Sequence, residues 1–436
     1  MGAFDFILKP FREPVIKTLF LNLYRNYKPQ SASTHTTIKP QQSVLTQFQG
    51  RLEKLYSTQQ DHHWLSETII KQYTPQPTIE GRLAMSSLLS ERRSFLEGSV
   101  NDWNFSPLQL NEIDLVYCVF YMLDETFQRF SQLKSLRMTN DALYDLIFDV
   151  CNSYHNLNPY HNFRHAVDVM QSTWYFLNLI KSESNQVDSN IAQLLRPIDI
   201  LAILMASLGH DVGHPGVNNG FMASFIITTA TPLAVLYNDK SVLESYHSMA
   251  FFNLLRRHYF KAMIDIKSHP EYKDFRKIIL QSILCTDMSC HQEYVESFKE
   301  QIKRAKSNNI NFTNDVSREK ERMILCSVIM KCADVSNCAR PFENAKSWAI
   351  TLAEEFFMQG DLERELEIPS IAINERGKVT LADFQLSFME NIALGLYQTV
   401  SELLPPLDFC VKNISDNIEV WTSIKQQAMI PSSSST

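Results

Sequence analysis

Residues 199–214 read Asp-Ile-Leu-Ala-Ile-Leu-Met-Ala-Ser-Leu-Gly-His-Asp-Val-Gly-His. The run from Ile200 to Leu208 is apolar and helix-forming, far too short to span a bilayer, and has the length of a helix buried in a protein core. It stops at Gly209, and the next residues, His210, Asp211 and His214, are polar, titratable and able to bind metal. Gly213 and the Pro215-Gly216 pair then enforce a turn. A buried helix that gives way to a turn carrying imidazole and carboxylate groups is a way of aiming side chains into a pocket. Asp334 ends a second apolar helix in the same manner, in Lys331-Cys332-Ala333-Asp334.

Apolar residues recur at helical spacing in 115–133, 142–151, 166–180, 199–208, 244–259, 275–285, 319–333, 345–359 and 381–404. Strand-like alternation is rare and glycine is scarce, so the expected fold is all-α, a compact multi-helix, bundle-like domain. Residues 96–428 are expected to form that domain. Residues 1–95 are read as an N-terminal helical or irregular region, in which 11–24 has the pattern of an amphipathic helix and 28–48 that of an exposed connection. Residues 181–190 and 304–317 read as loops, and 429–436, with its serines, as a frayed tail.

Composition excludes some classes of function. A formal net charge of −7 argues against a nucleic-acid-binding surface. Eight cysteines without Cys-x-x-Cys pairs argue against a zinc ribbon and for buried free thiols in a reducing compartment. The start of the chain lacks a signal-peptide layout, and Phe6 stands where a myristoylation signal wants Ser or Thr. The expectation is a cytosolic protein, with the nucleus as an alternative and no transmembrane segment.

Nine of the twelve histidines fall between 155 and 291. His161 and His165 lie one helical turn apart, and so do His210 and His214. Any one of them is more often a hydrogen-bonded core or surface residue than a ligand. Two such pairs with an adjoining aspartate point instead to a site for divalent metal. Zinc suits imidazole with carboxylate, while magnesium or manganese suits carboxylate with water. Asp211, beside a histidine, is the candidate to bridge two ions. Asp168 and Asp199 read as structural.

The segment from His210 to Phe221 resembles the signature of class I 3′,5′-cyclic-nucleotide phosphodiesterases, His-Asp-hydrophobic-x-His-x-Gly-x-x-Asn-x-hydrophobic. Further blocks resemble the family in order: Tyr160-His161-Asn162-Phe163-Arg164-His165-Ala166, Tyr237-Asn238-Asp239 with Ser241 to Glu244, Thr286 to Ser289, Ala333 to Asn337, and Glu355 to Asp361. The resemblance covers about residues 100 to 425 and is nearest to the fungal high-affinity cyclic AMP enzymes.

The resemblance implies two divalent ions, zinc and magnesium with manganese as an alternative. His165, His210, Asp211 and Asp334 would be the protein ligands, and a hydroxide bridging the ions would attack phosphorus in line. It makes His161 the general acid, oriented by Glu244. It places His214, His247 and Thr286 behind the ligands and their waters. For the substrate it implies Gln385 on the purine edge, Phe388 and Leu352 as the two jaws of a stacking clamp, and Tyr160 and Asn337 nearby. The family's Ser-Gln-x-Gly-Phe block stands here as Phe384-Gln385-Leu386-Ser387-Phe388, so its flanking Ser and Gly are replaced. Gly213 stands where many animal members have Asp, and Arg164 replaces a neutral residue and faces either a phosphate or a carboxylate. The implied reaction is hydrolysis of cyclic AMP to 5′-AMP, with Asn337 tilting the choice toward adenine. The alternatives are a dual or cyclic GMP enzyme, another His-Asp phosphohydrolase, and a non-catalytic cyclic-nucleotide sensor.

Overall fold

The computed structural model describes residues 81, 85–183, 191, 193–222, 236–258, 271–307, 310 and 314–429. Every regular element among them is helical: α1 (Ser90–Val100), α2 (Glu112–Arg129), α3 (Asn140–Ser153), α4 (Phe163–Ser182), α5 (Pro197–Gly209), α6 (Val242–His258), α7 (Tyr272–Leu284), α8 (His291–Lys306), α9 (Asp315–Asp334), α10 (Phe342–Glu365), α11 (Leu381–Phe388), α12 (Leu394–Ser401) and α13 (Asp408–Met429). A π-helical segment, Met389–Ala393, joins α11 to α12, so the periodic stretch expected over 381–404 is helical with one widened turn. The regions 11–24 and 28–48 and the tail beyond 429 lie outside the described residues, as does most of the loop expected over 181–190. In place of the loop expected from 304, α8 continues to Lys306.

Helix starts follow the local chemistry. Asn111 and Asp114 form a capping box on α2, Thr139 caps α3, Asn162 caps α4, and Pro197 opens α5. The boundary expected near residue 95 falls inside α1. That helix buries Leu96 and Val100, and Arg92 pairs with Asp114 of α2, so the packed unit begins before it.

Helix α5 lies at the centre, apolar on every side, and packs against α4, α6, α7 and α9. Its first turn is anchored by the fully buried Asp199, which accepts from Arg196 at 2.7 Å and lies 3.1 Å from Arg322 of α9. Asp168 on α4 is likewise structural. It accepts from the fully buried Arg340 at 2.9 Å, and the same guanidinium donates to Gln171, Ser172 and the Trp103 carbonyl. All eight cysteines are free thiols, seven of them buried.

The C-terminal end of α5 is where packing and site meet. A Cβ at Gly209 would come within 2.3 Å of the Phe251 ring on α6. Glycine is therefore required for α6 to close on the end of α5. Gly209→Ala should lower stability by about 1–3 kcal/mol, the usual cost of overpacking a core. Urea unfolding checks this, and an unchanged midpoint would show that Phe251 can move aside.

Candidate metal and acid-base site

Three helix ends deliver the four expected ligand residues to one place. His165 sits in the first turn of α4, His210 caps the C-terminus of α5, Asp211 follows it, and Asp334 is the last residue of α9. The turns that carry them are tied together. The Asn158 amide donates to the carbonyls of His161, at 2.9 Å, and His214, at 2.8 Å. The Tyr154 hydroxyl donates to the Leu208 carbonyl at 2.8 Å. Gly213, at φ +76°, adopts a left-handed turn that a side chain would strain, and its amide donates to the Ser153 carbonyl.

His210 Nε2 lies 3.0 Å from Asp211 Oδ2 and 3.3 Å from Asp334 Oδ1. His165 Nε2 lies 3.3 Å from Asp334 Oδ1 and 3.6 Å from Asp211 Oδ2. Ligands about 2.0–2.1 Å from a shared zinc are spaced by about 3.3 Å in a tetrahedral shell, so these separations suit one ion. His210 Nδ1 donates to the Ser207 carbonyl at 2.9 Å, which leaves Nε2 as the donor for metal. The buried Nε2 atoms of His165, His210 and His247 have no hydrogen-bond partner among the described residues. Three such atoms directed at carboxylates fit a cation that completes them.

Charge points the same way. Burial opposes ionisation of Asp211 and Asp334, but the imidazoles outweigh it and hold both carboxyls below the usual range. Burial opposes a proton on His210, yet Asp211 and Asp334 draw its pKa well up. That proton is the counter-charge this protein can offer, and a divalent ion would replace it. Asp211, His214 and His247 form an adjoining group of potential ligands. His247 Nδ1 donates to the Val212 carbonyl, and burial lowers its pKa to about 4, so it is neutral.

The expected pairing of Glu244 with His161 is not what the structure has. Glu355 of α10 holds the His161 Nδ1, and its other oxygen accepts from the backbone amides of Tyr160, at 2.9 Å, and His161, at 3.0 Å. Glu244 instead accepts twice from the Asn219 amide. The reason is position: α10 runs beside the turn that precedes α4, while Glu244 stands on α6 across the cavity. Glu355 opens one of the sequence blocks quoted above, but spacing along a chain carries no sign of which histidine a residue 194 positions away will meet.

The two glutamates differ accordingly. Burial opposes ionisation of Glu355, and His161 overcomes it, holding the carboxyl below its usual range. Burial raises Glu244 to about 7. On His161, burial works against the proton and Glu355 more than offsets it, raising the pKa to about 9. The ring stacks on His214 with centroids 3.9 Å apart, and burial and the His161 charge hold His214 well below the ordinary value. A cationic and a neutral imidazole thus lie face to face.

These groups border a cavity of about 450 Å³, lined also by Tyr160, Thr286, Asp287, Leu352, Phe356, Phe384 and Phe388. Gln385, next to Phe384 on α11, is buried and is not among the residues that line the cavity. Asn337 stands behind Tyr160, donating to its hydroxyl at 2.5 Å. Thr286 donates to the Ile283 carbonyl. Arg164 donates to the Leu110 carbonyl at 3.2 Å.

Residues 160–414 match the family described as 3′5′-cyclic nucleotide phosphodiesterase. The chain is 31% identical over 322 residues to the 3′,5′-cyclic-nucleotide phosphodiesterase regA of Dictyostelium discoideum, covering 74% of this chain and 38% of that protein. It is 34% identical over 308 residues to a cGMP-specific 3′,5′-cGMP phosphodiesterase 3 of the same organism, covering 71% and 61%. The chain therefore spans 38% and 61% of these relatives' lengths, under two thirds of each. Among solved structures, yeast caPDE2 in complex with IBMX superposes with a TM-score of 0.67 at 29% identity, covering 86% of this chain and 76% of that one.

Two outcomes follow from the geometry. Glu355→Gln should lower the titration of the His161 ring from about 9, since it removes the largest raising partner and leaves Asp211 and Asp334 alone against burial. NMR of the imidazole reads this directly, and an unmoved titration would place the raising charge elsewhere. In the unaltered protein the pair's stabilisation is complete below pH 6.5 and is lost as pH rises through about 9. Separately, zinc at a hundredfold excess over its dissociation constant should stabilise the fold by about 2.7 kcal/mol. Asp334→Ala should abolish that gain in a thermal melt; a variant melt still raised by zinc would remove Asp334 from the ligand set.

Proposed function

The chain belongs to the 3′5′-cyclic nucleotide phosphodiesterase family, and on that premise we propose that it hydrolyses a 3′,5′-cyclic nucleotide to the 5′-monophosphate, with cyclic AMP as substrate. The observation that carries the reading is the convergence of His165, His210, Asp211 and Asp334 beside the His161–Glu355 pair, with His161, Asp211 and Asp334 opening on one cavity of about 450 Å³.

In this reading those four residues hold divalent metal, zinc with magnesium or manganese, which when bound supplies positive charge at the phosphate and an activated water. His161 donates its proton to the departing 3′ oxygen. A neutral alcohol leaves more readily than an alkoxide, and a cationic imidazole at neutral pH has the proton to give. Glu355 keeps that ring charged and fixes which nitrogen faces the cavity. Its partner on Nδ1 leaves Nε2–H as the donor. His214, neutral and stacked on His161, adds no competing charge. Glu244, His247 and Thr286 line the opposite wall, where they hold water on the metal side of the phosphate.

Phe388 and Leu352 grip the purine face, and Gln385 reads its edge. The preference for adenine is supported by Asn337. Its side chain bonds the Tyr160 hydroxyl, and Tyr160 lines the cavity, so Asn337 acts on the base through that ring.

Turnover of cyclic AMP and cyclic GMP by purified protein, with and without chelator, tests the reading. Cyclic AMP should give the higher kcat/KM, and chelation should abolish turnover. A reversed ratio would make this a cyclic GMP enzyme, and chelator-resistant turnover would end the metal mechanism. His161→Ala should lower kcat by about 10²–10⁴. Gln385→Ala should raise KM with a smaller effect on kcat; unchanged saturation would remove it from base recognition.

A further inference from the structure

Four side chains of the cavity come from two helices in matched pairs. Leu352 and Phe356 lie four apart on α10, and Phe384 and Phe388 lie four apart on α11, so each pair occupies one helix face. All four line the cavity. At one end of this slot the helices touch through Phe356 and Phe384, whose ring centroids are 5.5 Å apart at an interplanar angle of 60°. That is contact distance for tilted aromatic rings, so no ligand group passes between them. Phe384 is 9% exposed, with its ring held against the wall. The family pattern that this chain resembles has serine at this position, and a serine could not reach across.

We propose that the Phe356–Phe384 contact is the stop of the base slot, making Phe384 a specificity-determining residue that admits an unextended purine and rejects cyclic nucleotides enlarged at the base. The inference rests on the reading of the cavity as a cyclic-nucleotide site. Its physical content is steric. A base gripped between Phe388 and Leu352 has free room only as far as the touching rings. A substituent long enough to meet them must separate two packed aromatic side chains, and the contacts they lose oppose binding.

The experiment compares kcat/KM for cyclic AMP with kcat/KM for N6-benzyl and 8-benzylamino cyclic AMP, in unaltered protein, Phe384→Leu and Phe384→Ser. The unaltered protein should favour cyclic AMP over both analogues. Phe384→Ser should shift the ratio toward at least one analogue by about tenfold or more, the scale on which a steric pocket discriminates. Phe384→Leu should fall between, and it carries the test where the serine variant does not fold. The gain should reside in the analogue's KM, which loss of packing alone would not improve. Ratios unchanged across the series, in protein that turns over cyclic AMP, would overturn the stop and leave the cavity reading intact. An unaltered protein that turns over no cyclic nucleotide would overturn both.

Discussion

Two carboxylates, Asp211 and Asp334, are buried within reach of the same two imidazoles, and most of the surrounding structure answers the cost of placing them there. Each charge removed from water costs several kcal/mol unless it is paired. The end of α5 supplies His210 and Asp211, but the second imidazole and the second carboxylate must come from other elements. The chain therefore brings the ends of α4, α5 and α9 together. The apolar packing of α5 against its neighbours provides the rigidity that holds them at 3.0–3.6 Å. Gly209, which lets Phe251 approach, and Gly213, which turns the chain left-handed, are what the backbone contributes to that convergence. Hydrogen bonds from Asn158 and Tyr154 tie the turns that carry these residues to each other and to α5.

The same cavity shows how environment separates chemically identical groups. Glu355 and Glu244 are both buried, yet one is drawn below the usual carboxyl range and the other is pushed up to about 7. The difference is the partner. Glu355 faces an imidazole it can keep charged and also accepts from two backbone amides. Glu244 faces only an uncharged amide, with Asp287 and Asp211 adding repulsion. An ionised carboxylate stabilises a protonated histidine, whereas one that titrates near neutrality can share protons with water on the metal side. Groups whose pKa values are driven apart in this way can take different roles at one pH.

Much of this was legible in the sequence. Helical spacing and scarce glycine announced an all-α fold, and the His-Asp residues at the ends of apolar runs announced where side chains would converge. What was not legible was of two kinds. One was tertiary proximity: Glu355 meets His161 only because α10 lies across the turn before α4, and no periodicity encodes that crossing. The other was orientation at close range. Arg164 stands between two histidines in sequence, yet the helical turn directs it away from them, to the Leu110 carbonyl. The domain boundary placed near residue 95 shares the first cause, since the ion pair that binds α1 to α2 joins residues 22 positions apart.

Helix α10 unites recognition with chemistry. Trp348, Leu352, Glu355, Gln359 and Glu363 recur at intervals of three and four along one face, with Phe356 beside Glu355. Trp348 packs edge-on to Tyr160 and His165, and Leu352 and Phe356 form one wall of the slot. Glu355 holds His161. Gln359 accepts from the Asn218 amide at 2.9 Å, fixing the turn that carries Asn219 to Glu244. Glu363 accepts from Gln359 at 2.7 Å and from Asn374 at 3.1 Å, which ties the helix to the loop beyond it. Close approach there depends on Gly360, where a Cβ would stand 2.0 Å from the Asn374 carbonyl oxygen. One helix thus carries both the cavity wall and the carboxylate that holds His161. In the proposed function, binding of the base and positioning of the proton are coupled through that single body.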